Sequence, residues 1–377
     1  MKIIGIIAEY NPFHNGHLYQ IKKIKEKYKD SLIIVVLSSS FSQRGEPIIL
    51  SKHERTDIIL NNNVDIVIEL PYVFSTQSAD IFAKGAISIL NSIGINTLSF
   101  GIESNINNLQ KAAEIQLNNK EFDLKVKEYM DKKYNYRSSV AKSIFDLINI
   151  TVDSPNDILA VSYIKEILKQ NKNIEILPIK RTSTYTDLKS KNKIVSASNI
   201  RNKLGKENIK KYVPKETYKY LKNFKYNDNL YFKLLKYKIF TNNNLNNILL
   251  VDEGIENRIN KYIKVSNNIN ELISNIKTKR YTENKIRRTL CHILCDYTKE
   301  KNKEFTDIEY IKILGFNEKG KKYLNIIKNK TKYQILTNYK KGFYMLEEEI
   351  KISQIYDLLT NKNTFLDEYK KGPNYKN

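Results

Sequence analysis

Seven residues near the start of the chain, Lys2-Ile3-Ile4-Gly5-Ile6-Ile7-Ala8, run directly into Glu9-Tyr10-Asn11-Pro12-Phe13-His14-Asn15-Gly16-His17. A short β-branched run, apolar on both faces, reads as a parallel strand buried in a sheet. A polar loop follows, and then a helix over about 17–29. This opening constrains the fold because it recurs along the chain. Strands are expected at 32–37, 65–70, 96–100 and 174–179, and helices at 51–62, 77–93 and 157–170. Ser51 and Glu54 make a capping box for the first of these helices. Ile81, Phe82, Ala86, Ile89, Leu90 and Ile93 share one face of the second. Strands alternating with helices predict an α/β fold with a Rossmann-like, doubly wound parallel sheet.

Past about residue 205 the pattern changes. Leu, Ile, Lys, Asn and Tyr recur at helical spacing, predicting helices at 231–240, 256–264, 269–276, 282–297 and 320–328. The chain therefore divides into residues 1–204 and a mainly α-helical domain, 205–377. Residues 104–150 read as a polar, mostly helical addition to the sheet, and 181–193 as a polar loop. The net charge is +23, and roughly +16 of it falls in the second part. Such a charge attracts polyanions, though a solvated Lys-rich surface accounts for it equally. Cys291 and Cys295 make no disulfide framework and fit a reducing compartment. The apolar run 3–8 is too short for a signal sequence, and no run reaches membrane-helix length. A cytoplasmic protein is expected, with no membrane contact and no feature that points to an obligate protein partner.

In an open α/β sheet the ligand lies beyond the carboxyl ends of the strands, which is where residues 9–17 fall. Two of the chain's four histidines, His14 and His17, flank Gly16 there. Gly16 lets the backbone approach a nucleotide. A helix beginning at His17 aims free N–H groups and its positive dipole end at phosphates. Both histidines can donate to phosphate oxygens as pyrophosphate leaves. Zinc is a poor fit, since distant His53 and the two cysteines are the remaining ligands. No protein-held metal is expected, whereas Mg²⁺ carried by ATP needs few protein ligands.

A second cluster, Val195-Ser196-Ala197-Ser198-Asn199-Ile200-Arg201, opens another helix. Ser196 or Ser198 can cap it and bond a phosphate, and Arg201 can clamp one. Alone, this is also the pattern of an ordinary capped helix. Together the two clusters point to reaction at the α-phosphate of ATP, which rests on positioning and electrostatics and needs no covalent nucleophile. His14, His17 and Arg201 are the catalytic candidates. A third cluster, Lys279, Arg280, Lys285, Arg287 and Arg288, surrounds Tyr281 at the start of a helix. Such cations bind phosphates, and a tyrosine among them can stack on an unpaired base; a solvated helix face is the alternative. Cys291 and Cys295, one turn apart, are expected to face the core.

The His14-Asn15-Gly16-His17 and Ser196-to-Arg201 motifs resemble the nucleotidyltransferase branch of adenylate-forming α/β folds. Ala8 to His17, Gln43-Arg44-Gly45-Glu46-Pro47, Ile68-Glu69-Leu70-Pro71, Ala79-Asp80-Ile81-Phe82-Ala83 and Ser196 to Arg201 narrow the match. With weaker similarity at Thr278 to Thr282, Ile286-Arg287-Arg288 and Leu314-Gly315-Phe316, nearly the whole chain resembles the bacterial tRNA(Met) cytidine acetate ligases. That resemblance implies a nucleotidyltransferase-type sheet followed by a tRNA-binding domain. It implies an enzyme that joins acetate to AMP, releasing pyrophosphate. The acetyl group then passes to the exocyclic amine of the wobble cytidine of elongator tRNA(Met), giving N-acetylcytidine.

The resemblance further implies ATP contacts from Ile7, Ala8, Glu9, Tyr10, Asn11, Pro12, Phe13, His14, Asn15, Gly16, His17, Leu18, Tyr19 and Gln20. Gly101, Asn156 and Arg181 join them, with Ser196 from the second cluster. Ser39 and Ser40 depart from the family, which usually has a glycine and a polar residue in those places. The alternative activity is an adenylyltransferase for a small phosphorylated metabolite. Those enzymes share the His-x-Gly-His site but are generally short, without a long basic second half. A binding protein with a decayed site is a third reading, against which the intact motifs argue.

Overall fold

The computed structural model describes residues 1–181, 194–222, 224 and 228–377. Its strands are β1 (Ile3–Ala8), β2 (Leu32–Ser38), β3 (Ile66–Leu70), β4 (Thr97–Ile102), β5 (Glu175–Lys180), β6 (Tyr310–Asn317), β7 (Gln334–Leu336) and β8 (Asn374–Lys376). Among the described residues they join in one sheet, ordered β5-β4-β1-β2-β3-β6-β7, with β8 on β6. The first five strands are parallel and lie where the apolar runs predict them. Every residue from Leu32 to Leu37 is fully buried, so helices cover both faces of β2, as a parallel strand requires. Ile34 and Val36 enter one hydrophobic cluster, and Ile33, Val35 and Leu37 the other. The covering helices include Asn15–Lys27, Lys52–Leu60, Ala79–Ser92 and Pro155–Gln170, and the Ser51–Glu54 capping box forms. Of the polar loop expected at 181–193, residues 182–193 lie outside the described residues.

The predicted helices of the second part form, including Glu283–Cys295 and Glu318–Ile327. The sequence reading missed β6, which runs antiparallel to β3 with Val67 opposite Gly315. The chain thus crosses the 204/205 boundary and returns to finish the first sheet. Lys312 hid the strand, because it interrupts the apolar pattern. It is 3 % exposed and is paired with Glu368 at 3.1 Å.

That pair belongs to a buried ionic cluster. Lys52 touches Glu69 and Glu368 and stands 3.7 Å from Glu349. Glu349 accepts hydrogen bonds from the Ser39 hydroxyl and, at 2.7 Å, from the Tyr72 N–H. Burial and nearby Glu69 push the Glu349 carboxyl up to about 8. Burial opposes ionisation of Glu368, but Lys52 and Lys312 draw it down to about 2. Neither Ser39 nor Ser40 takes a positive φ, so no glycine is needed there. Ser39 instead ties the loop after β2 to the Tyr344–Thr360 helix. Removing one partner from a buried ion pair costs about 3–5 kcal/mol, so this cluster fastens the last helices to the first sheet.

Candidate active site

Strand β1 lies between β2 and β4, so its carboxyl end is the topological switch point where an open α/β sheet leaves a crevice. The chain turns there through Tyr10, at φ +48°, and a cis Asn11–Pro12 bond. His14 then caps the Asn15–Lys27 helix: its Nδ1 accepts from the Gly16 N–H at 3.0 Å. The Nδ1 of His17 accepts from the His14 N–H at 3.2 Å. Two histidines thus make the capping box, their rings stacked 3.7 Å apart.

This cap corrects the expectation that free helix N–H groups meet the phosphates. The helix begins at Asn15, two residues early, and its first N–H groups are already engaged. Asn15 donates to the Tyr212 carbonyl, Gly16 to His14, and His17 and Leu18 to the His14 carbonyl. The ring edges of the histidines are what remain for a ligand. With each Nδ1 accepting, the proton of a neutral ring sits on Nε2, a placement inferred from the hydrogen bonds. Burial and the positive charge of Arg181 lower His14 to about 3. Burial, His14 and Arg181 hold His17 well below the usual range. At neutral pH the pair is uncharged and offers two Nε2–H donors. Gly16 makes room for this arrangement, since a Cβ there would lie 2.8 Å from His14 Cε1.

Arg55 frames the loop. Fully buried, it donates to the carbonyls of Glu9 and Ser38 at 2.8 Å, Leu50 at 3.1 Å, and Ser39. Burial lowers it to about 10, which leaves it charged at neutral pH. From the second cluster, Ser196 caps the Ala197–Lys203 helix by accepting from Asn199 at 3.2 Å. Arg201 donates to the Asn11 carbonyl at 2.8 Å and to the Ser198 hydroxyl at 3.3 Å. Both motifs expected around the nucleotide therefore meet directly. Across the sheet, Gln20 donates to Ser99 at 3.2 Å. Glu103 accepts from the Asn156 amide and lies 3.9 Å from Arg181.

Glu46 extends this frame to the third cluster, with one oxygen 3.5 Å from Arg201 and the other 3.4 Å from Arg287. Gly45, at φ +79°, packs so closely on the Glu283–Cys295 helix that a Cβ would lie 2.6 Å from the Arg287 carbonyl. Arg288 reaches the Gln43 carbonyl at 3.5 Å, and burial lowers its pKa to about 10.

These walls enclose a cleft of about 1860 Å³. Of the predicted nucleotide residues, Ile7, Ala8, Glu9, Tyr10, Asn11, His14, Gly16, His17, Tyr19, Gln20, Gly101, Asn156, Arg181, Ser196 and Arg201 line it. Pro12, Phe13, Asn15 and Leu18 stand behind the lining; Phe13 is wholly buried and Leu18 packs on the core. Lys279, Arg280, Lys285 and Arg288 line the opposite side, and Arg287 does not. The basic cluster therefore divides. Lys279 and Arg280 are exposed at the rim, while Arg287 and Arg288 face inward onto the 43–46 loop. Lys285 and Arg280 share Glu253, at 3.0 and 3.1 Å. Tyr281 is 6 % exposed and its hydroxyl donates to the Glu253 carbonyl, which removes it as a stacking surface. Cys291 and Cys295 are buried in the core, as their spacing predicts.

Sequence reasoning passed over Arg55, Glu46 and Glu103, and over Tyr134 and Tyr136, which also line the cleft. A charge on the apolar face of the 52–60 helix was the available signal for Arg55, and Glu46 lay within a quoted motif. Nothing in the local pattern points to Tyr134 or Tyr136. Among the described residues, no group of three His, Cys, Asp or Glu side chains is placed to hold a metal ion, and no helix is long and apolar enough to cross a membrane.

The profile of the HIGH nucleotidyl transferase family matches residues 1–371. The chain is 39% identical to the tRNA(Met) cytidine acetate ligase of Thermoanaerobacter sp. (strain X514), over 95% of each chain. It is 39% identical to that of Caldicellulosiruptor saccharolyticus, over 100% of this chain and 99% of the relative. The apo crystal structure of Thermotoga maritima TmcAL superposes with a TM-score of 0.91 at 28% identity, covering 100% of this chain and 99% of that one. A second form of that protein, bound with alpha-thio ATP, gives 0.89 at the same identity and coverage. The doubly wound sheet, the paired histidines at its switch point and full-length relatives agree: this chain belongs to the tRNA(Met) cytidine acetate ligase family, within the HIGH nucleotidyl transferases.

Proposed function

We propose that the chain is an ATP-dependent ligase that makes acetyl-adenylate from acetate and passes the acetyl group to the wobble cytidine of elongator tRNA(Met). The observation that carries this reading is the composition of one cleft. Its floor holds two stacked, neutral histidines, and its rim holds the exposed cations Lys279 and Arg280. In the first step an acetate oxygen attacks the α-phosphorus and the bond to the β-phosphate breaks. Charge then grows on the leaving pyrophosphate. His14 and His17 donate Nε2–H to it, and Arg181 and Arg201 supply fixed positive charge. ATP lies along Ile7 to Gln20, with Gly101, Asn156, Arg181 and Ser196 around it, and brings Mg²⁺ on its phosphates. In the second step the cytidine amine attacks the acetyl carbonyl, forming N-acetylcytidine and releasing AMP. Residues 1–204 hold the nucleotide, and the basic residues past 205 hold the tRNA backbone. A tRNA substrate places the enzyme in the cytoplasm.

The test is acetate-dependent exchange of pyrophosphate into ATP, followed by transfer of labelled acetate to bulk tRNA. Exchange that requires acetate and transfer that requires tRNA are expected. Consumption of pantetheine phosphate or a nicotinamide nucleotide, with acetate without effect, would overturn the reading in favour of a metabolite adenylyltransferase.

A further inference from the structure

The cleft is larger than one nucleotide needs. Small-molecule sites are usually about 300–1,000 Å³, against about 1860 Å³ here. The surplus lies under a wall that the histidine loop does not build. That wall is the turn between the Lys120–Asp131 and Tyr136–Ile148 helices, facing the segment 277–280.

Tyr134 and Tyr136 line this part of the cleft, yet are 44 % and 58 % exposed. Large aromatic side chains this exposed, in a concave wall, suit a flat partner. Their placement is built. Asn135, between them, caps the Tyr136–Ile148 helix by accepting from the Ser138 N–H at 3.1 Å. The same side chain donates to the Lys279 carbonyl at 3.3 Å. One residue thus fixes the tyrosines against the basic segment. Tyr134 has Tyr129 edge-on at 5.8 Å and the Lys142 ammonium 5.0 Å over its ring, so part of its surface is already covered. Tyr136 is the more open ring.

We propose that Tyr136, flanked by Tyr134, is the platform on which the unpaired acceptor cytidine of the tRNA stacks, with Lys279 and Arg280 on the adjoining phosphates. Stacking on an aromatic ring with cations on the backbone is how splayed-out bases are held. The inference rests on the tRNA-acetylating reading and deepens it by assigning the base-binding subsite.

The experiment compares wild type, Tyr136→Ala and Tyr136→Phe in two assays: acetate-dependent pyrophosphate exchange, and acetyl transfer to tRNA over a range of tRNA concentrations. Tyr136→Ala should raise the KM for tRNA about tenfold or more, the usual loss for one stacked base, with exchange unchanged. Tyr136→Phe should keep the wild-type KM, since a π-face is retained. A rise in the KM for ATP in the exchange assay would overturn the proposal and assign the ring to adenine. An unchanged KM for tRNA would overturn it as well. Absence of acetate-dependent exchange or of transfer in the wild type would instead defeat the underlying reading of the activity.

Discussion

At the scale of single residues, the site depends on two histidines kept neutral by their surroundings. Each ring's Nδ1 is held by a backbone N–H, so the proton available to a ligand is on Nε2. His17→Ala removes one donor to the leaving pyrophosphate. It should lower acetate-dependent exchange at least roughly tenfold; an unchanged rate would remove His17 from the chemistry. Because His14 is held near 3 and His17 well below its usual value, neither should appear as an inflection near pH 6.5 in the exchange rate. The identities of these residues were plain in the sequence. Their cap was not: a histidine serving as a helix N-cap is decided by ring placement, which spacing alone does not reveal.

At the scale of elements, the 43–46 loop matters most, because the Glu283–Cys295 helix serves both the loop and the cleft. The basic run leading into that helix looked uniform from sequence, since a count of cations carries no burial. The fold separates it into a rim and an inner contact. Charge reversal at Lys279 and Arg280 should weaken tRNA binding and flatten its salt dependence while sparing exchange. Reversal at Arg288 should depress both reactions, because it places a carboxylate beside the Gln43 carbonyl under the loop. Equal effects from the two changes would contradict the division. The five parallel strands and their helices were legible because apolar runs and caps are local signals. Strand β6 was not, since its partner β3 lies some 250 positions away (Ile66 pairs with Phe316), and Lys312 finds its counter-charge only in the folded chain.

At the scale of the whole molecule, stability is tied to proton uptake. Burial holds His14 and His292 near 3 and His53 near 4, and it lowers His17 too. The unfolded chain protonates these groups near 6.5 while the folded chain does not. Their contribution is therefore present in full above about pH 6.5 and is lost as pH falls toward 4, at about 1.4 kcal/mol per unit for each histidine. Glu349, raised to about 8, works in the opposite sense, since its share is present at low pH and lost as pH rises through 8. Four groups outweigh one. Urea midpoints should fall clearly between pH 7 and pH 5; a flat profile would show that the histidines are charged in the fold. The ionic cluster around Lys52 also bears on how the protein is made. Glu69 leaves the ribosome early, but Ser39 waits 310 residues for Glu349, and Lys52 waits longer for Glu368. From the synthesis of Arg201 until Tyr310–Asn317 follows, the nascent chain carries every nucleotide-binding motif while β3 still lacks β6 along its edge. An interrupted product is thus left without the contacts that set the loop after β2.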